Sequence, residues 1–249
     1  MNKTILFSSV AISTLLLSQS VIAADTVAPA QYTSKASVTF TTNTDPTNPV
    51  DPTNPDNPYV PDTPAQPGTA GPLSIDFASS LDFGSQKITS TNETYYAALT
   101  SGKDSTGAAK SVPNYVQVTD NTGSDQGWSL NVTQMDDLKN GTNALNGAQI
   151  AFTNGTAVTA SASDAGLPSA ATGFTLTKGA ASIVTTAQAN QGEGTWVTRY
   201  GDATTGATTS GDKAITLTVP GATTKRAGQY STTLQWNLTQ TPAANAAIK

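Results

Sequence analysis

Gln229-Tyr-Ser-Thr-Thr-Leu-Gln-Trp-Asn-Leu-Thr239 is the stretch that decides the fold class. Successive side chains of an extended strand point to opposite faces. Tyr230, Thr232, Leu234, Trp236 and Leu238 therefore share one face, and Gln229, Ser231, Thr233, Gln235, Asn237 and Thr239 share the other. Such alternation marks a half-buried antiparallel strand. The pattern recurs in Gly127-Trp-Ser-Leu-Asn-Val-Thr-Gln134, with Trp128, Leu130 and Val132 on one side and Ser129, Asn131 and Thr133 on the other. The chain holds only three tryptophans, and two of them stand in matching Trp-x-Leu triplets that run on to Thr-Gln.

Working outward, Thr, Ala, Gly, Ser and Asn dominate, and short alternating stretches lie between Gly-, Pro- and Asn-rich breaks. This predicts an all-β chain, an antiparallel β-sandwich or barrel-like single domain. Strands are expected at Ala36 to Thr42, Leu73 to Phe77, Tyr95 to Leu99, Tyr115 to Thr119, Trp128 to Thr133 and Gln149 to Phe152. Further strands are expected at Phe174 to Thr177, Ser182 to Thr185, Trp196 to Tyr200, Ala214 to Val219 and Gln229 to Thr239. A single helical turn is expected at Thr185 to Gln191. Asp45-Pro-Thr-Asn-Pro49 repeats as Asp51-Pro-Thr-Asn-Pro55, and prolines continue to Pro67. Proline removes a backbone donor and fixes φ, so residues 44–70 read as an extended, polyproline-like exposed loop or linker. Two placements stay open: an excursion between a first strand and the rest of one domain, or a detached N-terminal tail. If the tract is solvated, deleting Thr44 to Pro67 should leave the fold largely intact.

The N-terminus reads as a secretory signal peptide, residues 1–23: Lys3, an apolar run from Ile5 to Leu17, and Val21-Ile-Ala-Ala24 as the cleavage site. The run is shorter than the about 20 apolar residues of a membrane span. An exported product with no membrane span after cleavage is expected, with residues 24–249 as one domain. The C-terminal residues show neither an apolar tail nor a Leu-Pro-x-Thr-Gly sorting signal, so attachment without a covalent link is expected. With no cysteine there is no disulfide framework, and stability must come from an ordinary core. The net charge of -5, from 12 basic and 17 acidic residues, offers no basic footprint for nucleic acid.

The absence of histidine and cysteine excludes Ser-His-Asp and Cys-His catalysis and the zinc sites built on those ligands. Carboxylates such as Asp136, Asp137 and Glu193 sit among turn residues, where an acid is ordinarily solvated, so no enzyme activity is expected. The Asp- and Asn-rich tract lacks the alternate oxygen ligands, turn glycine and closing glutamate of a calcium loop. No metal or cofactor is expected.

The ordered set of motifs closely resembles the WxL domain family of Gram-positive cell-surface proteins. It comprises the signal peptide, the Asp-Pro-Thr-Asn-Pro tract, Gly71-Pro-Leu-Ser-Ile-Asp-Phe77, Leu81-Asp-Phe-Gly84, Val118-Thr-Asp120, Gly194-Thr-Trp-Val197 and the two triplets. The resemblance implies an extracellular domain held non-covalently on the cell wall. It further implies peptidoglycan or another cell-wall polymer as partner, and other exported surface proteins with which it assembles as a subunit. The motif residues Trp128, Leu130, Trp236 and Leu238 have two readings that stay open, core packing or direct contact with wall material. Trp196, Tyr95 and Tyr96 are additional candidates. Adjacent Tyr95 and Tyr96 point to opposite faces, so one of them should meet solvent, and Tyr59 in the proline tract is a further exposed candidate.

Overall fold

The computed structural model describes residues 28–62, 67–160, 166–202 and 209–240, so the expected signal peptide lies outside the described residues. The chain divides into two units, residues 1–39 and 40–249, and every described strand falls in the second. That unit is nearly all β, and each of its strand pairs is antiparallel. The one described helix is the short Gly211–Ala214. The turn expected at Thr185 to Gln191 instead starts inside the strand Ala181–Ala187, whose β-branched Ile183, Val184, Thr185 and Thr186 favour the pleat.

Three four-stranded sheets carry the fold. The first runs Gly173–Thr175, Gln149–Thr153, Ile215–Val219, Glu93–Tyr96; the second runs Gly155–Val158, Gly194–Tyr200, Tyr115–Asp120, Leu73–Ala78. The third is ordered Ser169–Ala170, Ala181–Ala187, Trp128–Gln134, Leu234–Thr239. Their apolar faces feed a single core. Ile150, Phe152 and Leu217 enter from the first sheet, Val116, Val118 and Trp196 from the second, and Trp128, Leu130 and Val132 from the third. Each fully buried aliphatic or aromatic side chain stabilises by about 1.5–3 kcal/mol, so this cluster replaces the disulfides the chain lacks.

Most expected strands are present with shifted ends, but Ala36 to Thr42 forms none. Residues 28–42 carry no strand pairing and are exposed throughout. Alternation specifies how a strand would be faced, and a partner must still be supplied.

The proline tract departs furthest from expectation. Val50–Asp51 pairs with Asn54–Pro58, and Val60–Pro61 pairs with Thr100–Lys103. The sheet of Tyr115–Asp120 needs cover on its second face, where Tyr115 and Gln117 are buried, and the tract supplies it. The Gln117 amide donates to the Asn48 carbonyl at 3.0 Å, and its oxygen accepts from the Val50 amide at 2.8 Å. Arg199 donates to the Pro52 carbonyl at 3.1 Å. Tyr59, read as exposed from sequence, is 1 % exposed and joins Phe77, Val112, Tyr115 and Val197 in a second apolar cluster. Its hydroxyl donates to the carbonyls of Thr100 and Lys110 at 2.8 and 2.9 Å. Proline forbids a central ladder position but not a short edge pairing, and a hairpin of that kind suffices to lay the tract across the sheet. The structure thus corrects the reading of 44–70 as one exposed loop. Residues 44–46 and 67–70 remain exposed, but residues 49–61 are part of the packed domain.

Candidate functional site

The two triplets lie side by side. Leu234–Thr239 is antiparallel to Trp128–Gln134, with Leu238 opposite Leu130, Trp236 opposite Val132 and Asn237 opposite Asn131. Residues directly opposite on one face are the closest side-chain neighbours in a sheet, so the leucines of the two motifs meet across the strand pair. Their tryptophans stand at different stations along it.

Those stations differ in burial. Trp128 has no exposed surface, and its indole Nε1 donates to the Gly192 carbonyl at 2.9 Å. Two glycines make room for it. Gly127 holds φ at +73°, and a Cβ there would fall 2.3 Å from the Ala187 carbonyl oxygen. Gly192 holds φ at +77°, and a Cβ there would fall 2.6 Å from the Trp128 Nε1. Leu130 is likewise buried, at 1 % exposed. Trp236 and Leu238 pack against the same core yet stay half-buried, because their strand ends the sheet.

The remaining candidates are scattered over other sheets. Trp196 is buried in the core, and its Nε1 donates to the Glu193 carbonyl at 2.9 Å. Tyr95 is half-buried against the core, while Tyr96 on the opposite face is 45 % exposed. One tyrosine of that pair does meet solvent, as the alternation requires. The Lys213 ammonium lies 4.4 Å from the Tyr96 ring centre, within cation–π range. No single patch of described residues gathers all seven candidates.

Asp136 and Asp137 lie in a network with two lysines. Asp136 is bonded to Lys139 and to the Asp137 amide, and Lys178 is 2.6 Å from Asp137. The Lys139 hydrogen bond holds the Asp136 carboxyl below its usual value, as suits a charged surface network. Glu193 sits with Asp120, Thr122, Ser124, Asp125 and Asn190 around a shallow depression, and no group of three acidic side chains among the described residues is arranged to hold a metal. No described helix is long and apolar enough to cross a membrane.

Of the three buried carboxylates among the described residues, Asp51, Asp76 and Asp120, the first two serve the fold. Burial pushes the Asp76 carboxyl up, opposed by hydrogen bonds from Ser74, Thr119 and Gln117 at 2.6, 2.6 and 2.9 Å. Burial also pushes Asp51 up, but the Lys110 ammonium together with the Thr53 hydroxyl and amide outweighs it and leaves that pKa below its usual value. Both acids belong to the junction between the proline tract and the sheet beneath it. Sequence reasoning passed over them, because only the fold brings residues 48–53, 74–76 and 110–119 together.

Comparison with curated proteins and with solved structures found no match. A family model described as WxL domain, surface cell wall-binding, matches residues 27–242. The paired triplets within that span and the match over most of the sequence agree: the chain belongs to the WxL family of surface cell-wall-binding domains.

Proposed function

We propose that this protein is exported by its N-terminal signal peptide and attaches without a covalent link to the peptidoglycan of a Gram-positive cell wall, as a subunit of a surface complex. The observation that carries the reading is the family match over residues 27–242, which takes up nearly the whole sequence. In this reading Trp128, Leu130 and Trp196 hold the fold, since rings with almost no exposed surface cannot be stacking platforms. Contact with glycan falls to exposed aromatics such as Tyr96 beside amide and hydroxyl side chains, and to the half-buried flank of Trp236. No catalytic step belongs to the proposal.

The test is retention of the purified protein by isolated peptidoglycan stripped of proteins and accessory polymers. Saturable retention is expected. A folded protein that stays in the supernatant would overturn direct binding to the polymer. A second reading, in which the immediate partner is another exported protein, is favoured by the edge at Leu234 to Leu238, which pairs with one strand among the described residues, since an exposed edge can accept an extended segment from a partner.

A further inference from the structure

We propose that the extended segment Lys35 to Thr42 of one molecule adds as a strand to the edge at Leu234 to Leu238 in a second copy of this chain, so that molecules join head to tail. The proposal does not depend on wall binding.

The donor has a strand's sequence and no strand's partner. Ala36, Val38 and Phe40 alternate with Ser37, Thr39 and Thr41, a β-branched and aromatic composition suited to a pleated, half-buried surface. Yet the segment is unpaired, with Val38 74 % and Phe40 88 % exposed. Apolar side chains set in alternation have no function on a segment that stays in water.

The acceptor shows the complementary deficit. Leu234–Thr239 ends its sheet, and among the described residues the backbone of 234–238 bonds only to Trp128–Gln134. Its inward row of Leu234, Trp236 and Leu238 is only half-buried, and among the described residues no further strand covers that flank. Natural sheets blunt such edges with charge, proline, bulges or very short strands. The other described edges of the three four-stranded sheets are blunted or covered. Leu73–Ala78 is bulged between Ile75 and Phe77, and its Ile75 exchanges hydrogen bonds with Thr69 at 2.8 and 2.9 Å. Ser169–Ala170 and Gly173–Thr175 are two and three residues long. Gly155–Val158 receives cover at its start, where the Gly155 amide donates to the Thr172 carbonyl at 3.2 Å, and Glu93–Tyr96 bears a carboxylate and the Lys213 ammonium. Leu-Gln-Trp-Asn-Leu-Thr has no charge, no proline and no bulge.

A second copy is the occupant that fits, because each molecule carries one such donor and one such acceptor. The two surfaces differ, so the contact is heterologous and propagates as an open chain rather than closing as a two-fold dimer.

Sedimentation of the chain from residue 24 onward, without the signal peptide, across a concentration series reads the proposal directly. Average mass should rise with concentration. Val38→Pro combined with Phe40→Pro should hold the protein at monomer mass throughout with an unchanged far-UV circular dichroism spectrum, because both residues lie outside the folded sheets. Since the native chain has no cysteine, a Thr39→Cys chain can be mixed with a differently tagged Gln235→Cys or Asn237→Cys chain and oxidised. A mixed disulfide should form with at least one of these partners far above the yield with Lys103→Cys, a distant exposed control. Three outcomes overturn the proposal: a wild-type chain that is monomeric at every concentration, association that survives the two prolines, or mixed disulfides no more abundant than in the control.

Discussion

Replacing Trp128 by alanine removes an indole with no exposed surface whose Nε1 is bonded to the Gly192 carbonyl, whereas the same change at Trp236 removes a ring that is only half-buried on an edge strand. Aromatic side chains bury about 150–250 Å², which at about 25 cal/mol per Å² amounts to about 4–6 kcal/mol as an upper limit. Alanine keeps part of that, and the cavity adds a cost, so measured core losses run about 3–5 kcal/mol. A lost hydrogen bond contributes about 1 kcal/mol more. Trp128→Ala is therefore expected to cost about 4–6 kcal/mol and Trp236→Ala, whose ring keeps part of its surface in water, about 2–4 kcal/mol. Urea unfolding followed by far-UV circular dichroism measures both without relying on the fluorescence that the substitutions remove. Equal losses at the two sites, or a Trp128→Ala loss below about 1 kcal/mol, would refute the argument that sheet position separates two triplets alike in sequence. A Trp236→Ala chain that is fully stable yet no longer retained by wall material would move that ring from packing to contact.

Tyr59→Phe keeps the ring in its cluster but withdraws the hydroxyl from the Thr100 and Lys110 carbonyls, so urea unfolding should show a loss of about 1–2 kcal/mol, and an unchanged midpoint would mean that the proline tract does not clamp the domain. By the same packing, deleting Thr44 to Pro67 should now destabilise the domain rather than leave it intact. For Asp76, raised by burial, the folded state holds its proton more tightly than the unfolded chain. Its contribution is complete below the unfolded value near 3.8 and is lost as pH rises through the folded value. The stability of wild type minus that of Asp76→Asn, measured by urea unfolding from pH 4 to 7, should fall with pH, and a difference that rises would reverse the assigned direction.

Local alternation made most of the sheet legible, because facing is written every second residue. It placed Trp128, Leu130 and Val132 on one side together, and the core holds them there. It failed where the deciding fact was non-local. Residues 36–42 alternate as well as any strand but lack a partner, and Tyr59 sits among prolines yet is buried, because Gly102 and Val112 arrive from elsewhere in the chain. The unlike burial of Trp128 and Trp236 is not visible in the triplets either, since their neighbours on either side look the same and only the order of strands in the sheet tells them apart. Ser129 shows a related limit: it was assigned a polar outer face, but a central strand is covered on both sides, and the side chain is fully buried.

The pairing of the triplets also has a kinetic consequence. Ser129 and Thr239 are joined although they stand 110 positions apart, and closing so long a loop slows folding. A chain delivered N-terminus first cannot complete the sheet that buries Trp128 until Leu234 to Thr239 has emerged. Until then the first triplet lacks one flanking strand. The second triplet thus acts as a timer, so that the sheet around Trp128 reaches its native topology only after residue 239 is available.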